Sequence, residues 1–128
     1  MEINHKATLA EVEAVFERYE RALVGNDIAV LDELFLDSPT TIRYGGAENL
    51  YGIDAIRAFR AQRPATGLAR QLSDTVITCY GRDMAVASTL FHRDTAPGKV
   101  GRQMQTFIRT AAGWKVAAAH VSVIDAPV

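Results

Sequence analysis

The sequence has few of the residues on which several protein classes depend. Its 128 residues include one cysteine and three histidines. The single thiol, Cys79, cannot form an internal disulfide, and it is not spaced with the histidines as metal ligands are. The sequence therefore excludes a disulfide scaffold and a zinc ribbon, predicts no metal or other cofactor, and favours a reducing cytoplasm.

Long apolar runs and a strong excess of one charge are also missing. No stretch approaches the ~18 uninterrupted apolar residues of a membrane helix. Residues 1–6 lack the apolar core of a secretion signal. The formal net charge is −1, which argues against a nucleic-acid binder. We therefore expect neither a membrane nor a nucleic acid as a partner.

What remains is an apolar, arginine-rich chain of a length suited to one domain over residues 1–128. Of its 14 basic residues, 11 are arginine, whose planar fork binds carboxylates through two bonds. Coding bias and surface solubility would also explain this excess. Residues 1–54 carry a net −7 and residues 55–128 a net +6, which predicts docking between the two halves or between subunits.

The N-terminal half shows the pattern of helices. Thr8 and Glu11 have the spacing of a capping box, which predicts a helix start. Apolar residues then follow at spacings of three and four: Leu9, Val12, Phe16, Tyr19 and Leu23. Asp27 predicts the cap of a short second helix, and a third helix is expected from Ile53 to Arg63, just before Pro64.

The remainder of the chain has strand character. Residues 40–44 have strand composition, and four longer strands are predicted at 69–80, 84–93, 99–110 and 114–124. Helices followed by a meander of strands predict an α+β fold, with a curved antiparallel sheet wrapped on the N-terminal helices. Several strands are apolar on both faces, so we expect a second subunit on the outer face and a homo-oligomer, either dimer or tetramer.

Two residues could carry chemistry but also have ordinary structural explanations. Tyr19 lies in the apolar stripe of the first helix; its hydroxyl could bond a backbone carbonyl, or a neighbouring guanidinium could make it a usable acid or base. Arg43, in a short strand before Gly45-Gly46, is either solvent-exposed or inside a polar pocket, because an unpaired guanidinium is costly to bury.

Three further side chains are candidates for ligand binding. Arg60 flanks the apolar stripe of the third helix and could reach inward, whereas Arg57 and Arg63 are expected to pair at the surface. Gln105 shares a strand face with Gln103 and Phe107, which suggests a wet cavity beneath the helices. His120 shares its predicted face with Trp114, Val116 and Ser122, where a structural role is the alternative.

These motifs together resemble a known family. The relevant stretches are IRYG at 42–45 with Glu48, LYGIDAIRAFR at 50–60, GRQMQTF at 101–107 and AAHVS at 118–122. They are similar to the AtzH family, within the SnoaL-like or ketosteroid-isomerase-like superfamily of cone-shaped α+β proteins. The similarity extends over residues 8–125, although Met104 and Phe107 differ from the pattern we expect.

The resemblance implies a small enzyme of nitrogen catabolism found alongside an amidase of the amidase-signature type. Its implied reaction is decarboxylating amidohydrolysis, in which the small dianion 1,3-dicarboxyurea loses one N-carboxyl group to give allophanate. Tyr19 and Arg43 match the catalytic tyrosine and arginine of the family. Arg60, Gln105 and His120 are then expected to contact the substrate.

Two other functions stay open at the level of sequence. An isomerase or dehydratase of the same superfamily would need a carboxylate or histidine base in a mostly apolar pocket. A non-catalytic binding or oligomerisation domain, docked on an amidase, would use the apolar strand faces and would need neither a tyrosine hydroxyl nor an arginine fork.

Overall fold

Three helices precede and interrupt a six-stranded sheet in the computed structural model, which describes residues 1–127. The helices are α1 (Lys6–Val24), α2 (Ile28–Leu34) and α3 (Ile53–Gln62). The strands are β1 (Ile42–Tyr44), β2 (Asn49–Tyr51), β3 (Gln71–Tyr80), β4 (Met84–His92), β5 (Lys99–Thr110) and β6 (Gly113–Asp125). The α+β class, with helices against a curved open sheet, is as predicted.

The strand order is β2-β1-β6-β5-β4-β3. All neighbours are antiparallel except β1 and β6, which run parallel. The sequence assigned no sheet partner to β1 and did not predict β2. Both features depend on contacts between distant parts of the chain, and a three-residue strand is too short to show a period of two.

The core forms where the apolar stripes of α1 and α2 meet the inner face of the sheet. Four members of the predicted α1 stripe, Val12, Phe16, Tyr19 and Leu23, are buried. They pack with inward residues of the sheet, among them Phe107 and Val116, which have no exposed surface. Burial of this stripe, rather than helix propensity alone, stabilises α1 against the strands.

The first helix begins earlier than its capping-box pattern predicts. His5 is the N-cap, and its Nδ1 accepts from the Thr8 backbone amide at 3.4 Å and contacts the Thr8 hydroxyl at 2.9 Å. Glu11 instead accepts from Trp114 Nε1 at 3.0 Å and pairs with Arg109 at 2.8 Å. The Trp114 hydrogen bond, followed by Arg109, lowers the pKa of Glu11. The capping box is therefore replaced by a helix–sheet contact.

Opposite charges from the two halves of the chain meet inside the fold. Glu20 of α1 pairs with Arg70, which lies just before β3, and Glu11 pairs with Arg109 of β5. The predicted docking of an acidic N-terminal half against a basic C-terminal half thus occurs within one chain.

A β-bulge in β6 decides which side chains face the helices. Thr106 is opposite Ala118 but Phe107 is opposite Val116, so Ala117 is an extra residue. Because one extra residue reverses the alternation of faces, Trp114 and Val116 point inward while His120 is exposed. The prediction that His120 shares their face is therefore wrong.

Candidate functional site

A cavity of about 250 Å³ lies between the helices and one end of the inner sheet face. The helices contribute α1, α3 and the residue after α3 to its walls. The sheet contributes β1 with the turn that follows it, the segment before β3, and the strands β4, β5 and β6. Both residues predicted to be catalytic, Tyr19 and Arg43, line this cavity. The fold therefore brings together two side chains that are 24 positions apart in sequence.

The Tyr19 side chain is fixed by the core but its hydroxyl is not. The residue is 5% exposed, and its ring lies 6.2 Å from the Phe35 ring, centroid to centroid. No residue of the described chain, 1–127, forms a hydrogen bond with the Tyr19 hydroxyl, which faces the cavity. A phenol held this way can donate to, or accept from, a bound ligand.

Arg43 enters the cavity from β1 and is oriented by Glu48. Its Nη1 donates to Glu48 Oε1 at 2.7 Å, and its Cζ lies 5.5 Å from the centre of the Phe59 ring. The turn between β1 and β2 folds Glu48 back so closely that a Cβ on Gly45 would lie 1.7 Å from Glu48 Oε1. Glycine at position 45 is thus required by the ion pair, and the other guanidinium donors of Arg43 are left for a ligand.

Arg70 is more fully engaged than Arg43. It donates two hydrogen bonds to Glu20, from Nε at 2.9 Å and from Nη2 at 2.5 Å, and Nη2 also donates to Gln103 Oε1 at 2.9 Å. Its Cζ lies 4.6 Å from the centre of the Phe91 ring. These contacts make Arg70 a fixed part of the cavity wall.

Two other arginines in the lining, Arg63 and Arg93, have no carboxylate partner among residues 1–127. Nε and Nη2 of Arg63 and Nε of Arg93 are buried without a hydrogen-bond acceptor in the same part of the chain. Burial lowers the pKa of both guanidiniums, and neighbouring arginines lower it further. The cavity therefore contains buried donors that no protein group satisfies.

Summed over the cavity, the charges favour an anion. Four guanidiniums line it and one carboxylate, Glu48, lines it with them. Glu20, behind Arg70, is the second carboxylate, which leaves a formal excess of two positive charges. Within residues 1–127, no three histidine, cysteine, aspartate or glutamate side chains are grouped as metal ligands.

Arg60, predicted to contact the substrate, lies outside the cavity lining. Its side chain is 4% exposed, its Nη1 donates to Asp32 Oδ1 at 2.5 Å, and its Cζ lies 4.7 Å from the centre of the Phe35 ring. Arg60 does reach inward as predicted, but it ends in an ion pair that joins α3 to α2.

Gln105 and His120 also lie outside this cavity. Gln105 faces inward with Gln103, as predicted, but it is 1% exposed and its amide has no partner in the described residues. His120 is on the opposite face of the sheet, 5.9 Å from the Tyr44 ring between centroids. There it lines a separate recess with Arg102, Met104 and Ser122.

The sequence contains local features that could have indicated the three cavity arginines that the prediction missed. Arg63 precedes Pro64, and a residue before proline is pushed out of the helical region. Its backbone is extended (φ −69°, ψ 135°), so its side chain leaves the helical periodicity that predicted a surface position. Arg93 continues the inward alternation of β4 past Phe91, and Arg70 precedes inward Leu72 by two residues.

The architecture defines a class of small α+β proteins with a cystatin-like fold, and two closely similar crystal structures agree. A protein of unknown function from the DUF3225 family of Pectobacterium atrosepticum is 58% identical, with a TM-score of 0.94 over 96% of this chain and 95% of that one. A cystatin-like fold protein from Burkholderia xenovorans is 48% identical, with a TM-score of 0.95 over 99% of each chain.

More distant similarity shows the fold alone. An NTF2-like protein of Pseudomonas putida is 20% identical, with a TM-score of 0.73 over 90% of this chain and 87% of that one. No curated protein matches the chain. The model of the AtzH-like family matches residues 1–127, and the chain belongs to the AtzH-like family.

Within residues 1–127, none of the helices has the length and apolar character needed to cross a membrane.

Proposed function

We propose that this protein is a decarboxylating amidohydrolase that converts 1,3-dicarboxyurea to allophanate and carbon dioxide, without a metal, in nitrogen catabolism in the cytoplasm. The observation that carries the proposal is the Tyr19 hydroxyl, which has no partner in the described chain and faces a cavity that also contains Arg43. Membership of the AtzH-like family supports the same reaction. We also propose a functional association with an amidase that acts on the allophanate product.

The charge of the cavity suits the charge of the substrate. 1,3-Dicarboxyurea carries two carboxylates, and the cavity has a formal excess of two positive charges. In a partly dry site, guanidiniums bind carboxylates through charge-assisted pairs of hydrogen bonds. The substrate is thereby held with its carbon–nitrogen bonds near the Tyr19 hydroxyl.

The bond-breaking step needs one proton. The bond between a urea nitrogen and its carboxylate carbon breaks, its electron pair stays on nitrogen, and carbon dioxide leaves. Tyr19 donates its hydroxyl proton to that nitrogen and recovers a proton from water. One proton is consumed for each dianion converted to the allophanate anion. Arg43, oriented by Glu48, stabilises the negative charge on the urea oxygen and on Tyr19 during this step.

The alternative functions fit the cavity less well. An isomerase or dehydratase for an apolar ring would use a free carboxylate or histidine base, whereas Glu48 is tied to Arg43 and His120 lies on the other face of the sheet. A purely structural domain would gain nothing from buried guanidinium donors without acceptors, since these destabilise the fold.

The proposal is tested by following carbon dioxide and allophanate from freshly generated 1,3-dicarboxyurea. Tyr19→Phe removes the hydroxyl and keeps the ring, so we expect kcat to fall about 10²- to 10⁴-fold. Arg43→Lys keeps the charge but loses the planar fork, and we expect this variant to lose activity as well. Tyr80→Phe, at a tyrosine that is 41% exposed, is the control and should react like the wild type. Wild-type protein that releases no more carbon dioxide than the spontaneous reaction would refute the proposal.

A further inference from the structure

The four arginines of the cavity fall into two pairs with different surroundings. Arg43 and Arg70 are each held by a carboxylate, Glu48 and Glu20 respectively. Arg63 and Arg93 pair with no carboxylate in residues 1–127 and bury nitrogen atoms that have no acceptor there. The protein therefore neutralises two of its four cavity cations and leaves two uncompensated.

Leaving these two guanidiniums unpaired is costly for the protein alone. A buried donor without an acceptor destabilises the folded state, and a buried charge does so more strongly. A guanidinium cannot escape this cost by losing its proton, because it stays protonated in proteins. Both side chains are half-buried, and an anion in the cavity could accept hydrogen bonds from the nitrogens that are buried without an acceptor.

The two groups are supported as a ligand-binding pair would be. Arg63 ends α3 in an extended backbone conformation that turns its side chain into the cavity. Arg93 follows β4, and its Cζ lies 4.8 Å from the centre of the Phe91 ring. Gln103 adds a further donor, because its Oε1 is bound by Arg70 while its Nε2 has no partner in the described chain.

We propose that Arg63 and Arg93 bind the two negative ends of the ligand and so select a dianion over a monoanion. This inference rests on the proposed function for the identity of the substrate, but not for the binding itself. Arg43 and Tyr19 are then the groups at the reacting bond, while Arg63 and Arg93 hold the carboxylates. Neither residue was expected at the site from the sequence.

The test uses glutarate, a stable dianion whose carboxylates are separated by three atoms as in 1,3-dicarboxyurea, and butyrate as the monoanion. Affinities are measured by titration calorimetry in low-chloride buffer for the wild type, Arg63→Gln, Arg93→Gln and the matching lysine variants. The control is Arg57→Gln. Arg57 lies in α3, the helix that ends at Arg63, and its side chain is 41% exposed.

We expect each glutamine variant to bind glutarate about 10- to 100-fold more weakly, since one charge-assisted pair is lost. The affinity of these variants for butyrate should fall by only about twofold, because the remaining arginine still binds it. The glutarate affinities of the lysine variants should lie between those of the wild type and the glutamine variants. The Tm of the ligand-free glutamine variants should equal or exceed that of the wild type, because guanidinium nitrogens that are buried without an acceptor have been removed.

Some results would overturn the assignment. The first is a wild-type protein that binds glutarate no more tightly than butyrate. The second is a glutamine variant that binds glutarate as tightly as the wild type does. The third is a glutamine variant that loses affinity for glutarate and for butyrate by the same factor. A lower Tm with unchanged binding would show a structural role instead. Carbon dioxide release is measured separately: its absence refutes the proposed reaction, whereas the glutarate affinities decide the roles of Arg63 and Arg93.

Discussion

Replacing Arg60 by methionine separates a structural role from a role in substrate binding. Arg60 is bound to Asp32 and lies over the Phe35 ring, and its side chain is 4% exposed. Removing one partner of a buried ion pair costs about 3–5 kcal/mol. The Asp32 side chain is 27% exposed and regains water, so we reduce this to roughly 2–4 kcal/mol.

This free energy converts to a measurable shift in melting temperature. Unfolding entropy is about 2.1 cal/mol/K per residue, which for 128 residues gives about 0.27 kcal/mol/K. The Tm of Arg60→Met should therefore fall by roughly 7–15 °C. Below that Tm, kcat/KM should stay within about twofold of wild type, since Arg60 does not line the cavity.

The assay is thermal unfolding followed by circular dichroism, together with the carbon dioxide assay at a temperature where both proteins are folded. Arg57→Met is the matched control, because its guanidinium is 3.8 Å from Asp37 and the two side chains are 41% and 78% exposed. It should shift the free energy of unfolding by less than about 0.5 kcal/mol. Arg60→Met with a wild-type Tm and a large loss of activity would refute our account and restore the role predicted from sequence.

Three further predictions follow from contacts elsewhere in the chain. Gly101→Ala places a Cβ 2.0 Å from the Phe91 ring; it should destabilise the protein by about 1–3 kcal/mol and raise KM, and an unchanged KM would contradict this. Glu11→Gln should lower the Tm at neutral pH, with the difference narrowing as the pH falls below 4.5, because the folded pKa of Glu11 lies below that ordinary value; a constant difference in melts across pH would contradict this. The expected homo-oligomer should show, by light scattering, a mass at least twice the 14.0 kDa of the chain; a monomer mass at micromolar concentration would exclude it.

Local patterns predicted most of the fold. The α1 stripe, the Asp27 cap of α2 and the positions of the four long strands depend on neighbours in sequence, and each is found in the structure. The parallel pairing of β1 with β6 and the bulge at Ala117 depend on residues far apart in the chain. No periodic pattern reports such contacts, which is why the face of His120 was predicted wrongly.

The site was predicted in part, for a related reason. Tyr19 and Arg43 were assigned from the family resemblance, and both line the cavity. Arg60 reaches inward as predicted, but Arg63 lines the cavity instead of pairing at the surface, because helical periodicity was continued through a residue whose backbone Pro64 makes extended. Periodicity also cannot show that Arg60 forms an ion pair with Asp32, which lies in another helix.

The most direct test of the central claim is the rate of carbon dioxide release from freshly generated 1,3-dicarboxyurea, measured for the wild type and Tyr19→Phe beside the spontaneous reaction. We predict release well above the spontaneous rate for the wild type and its loss in the variant. Equal release by the two proteins would contradict the role of Tyr19, and no release above background by the wild type would contradict the reaction itself.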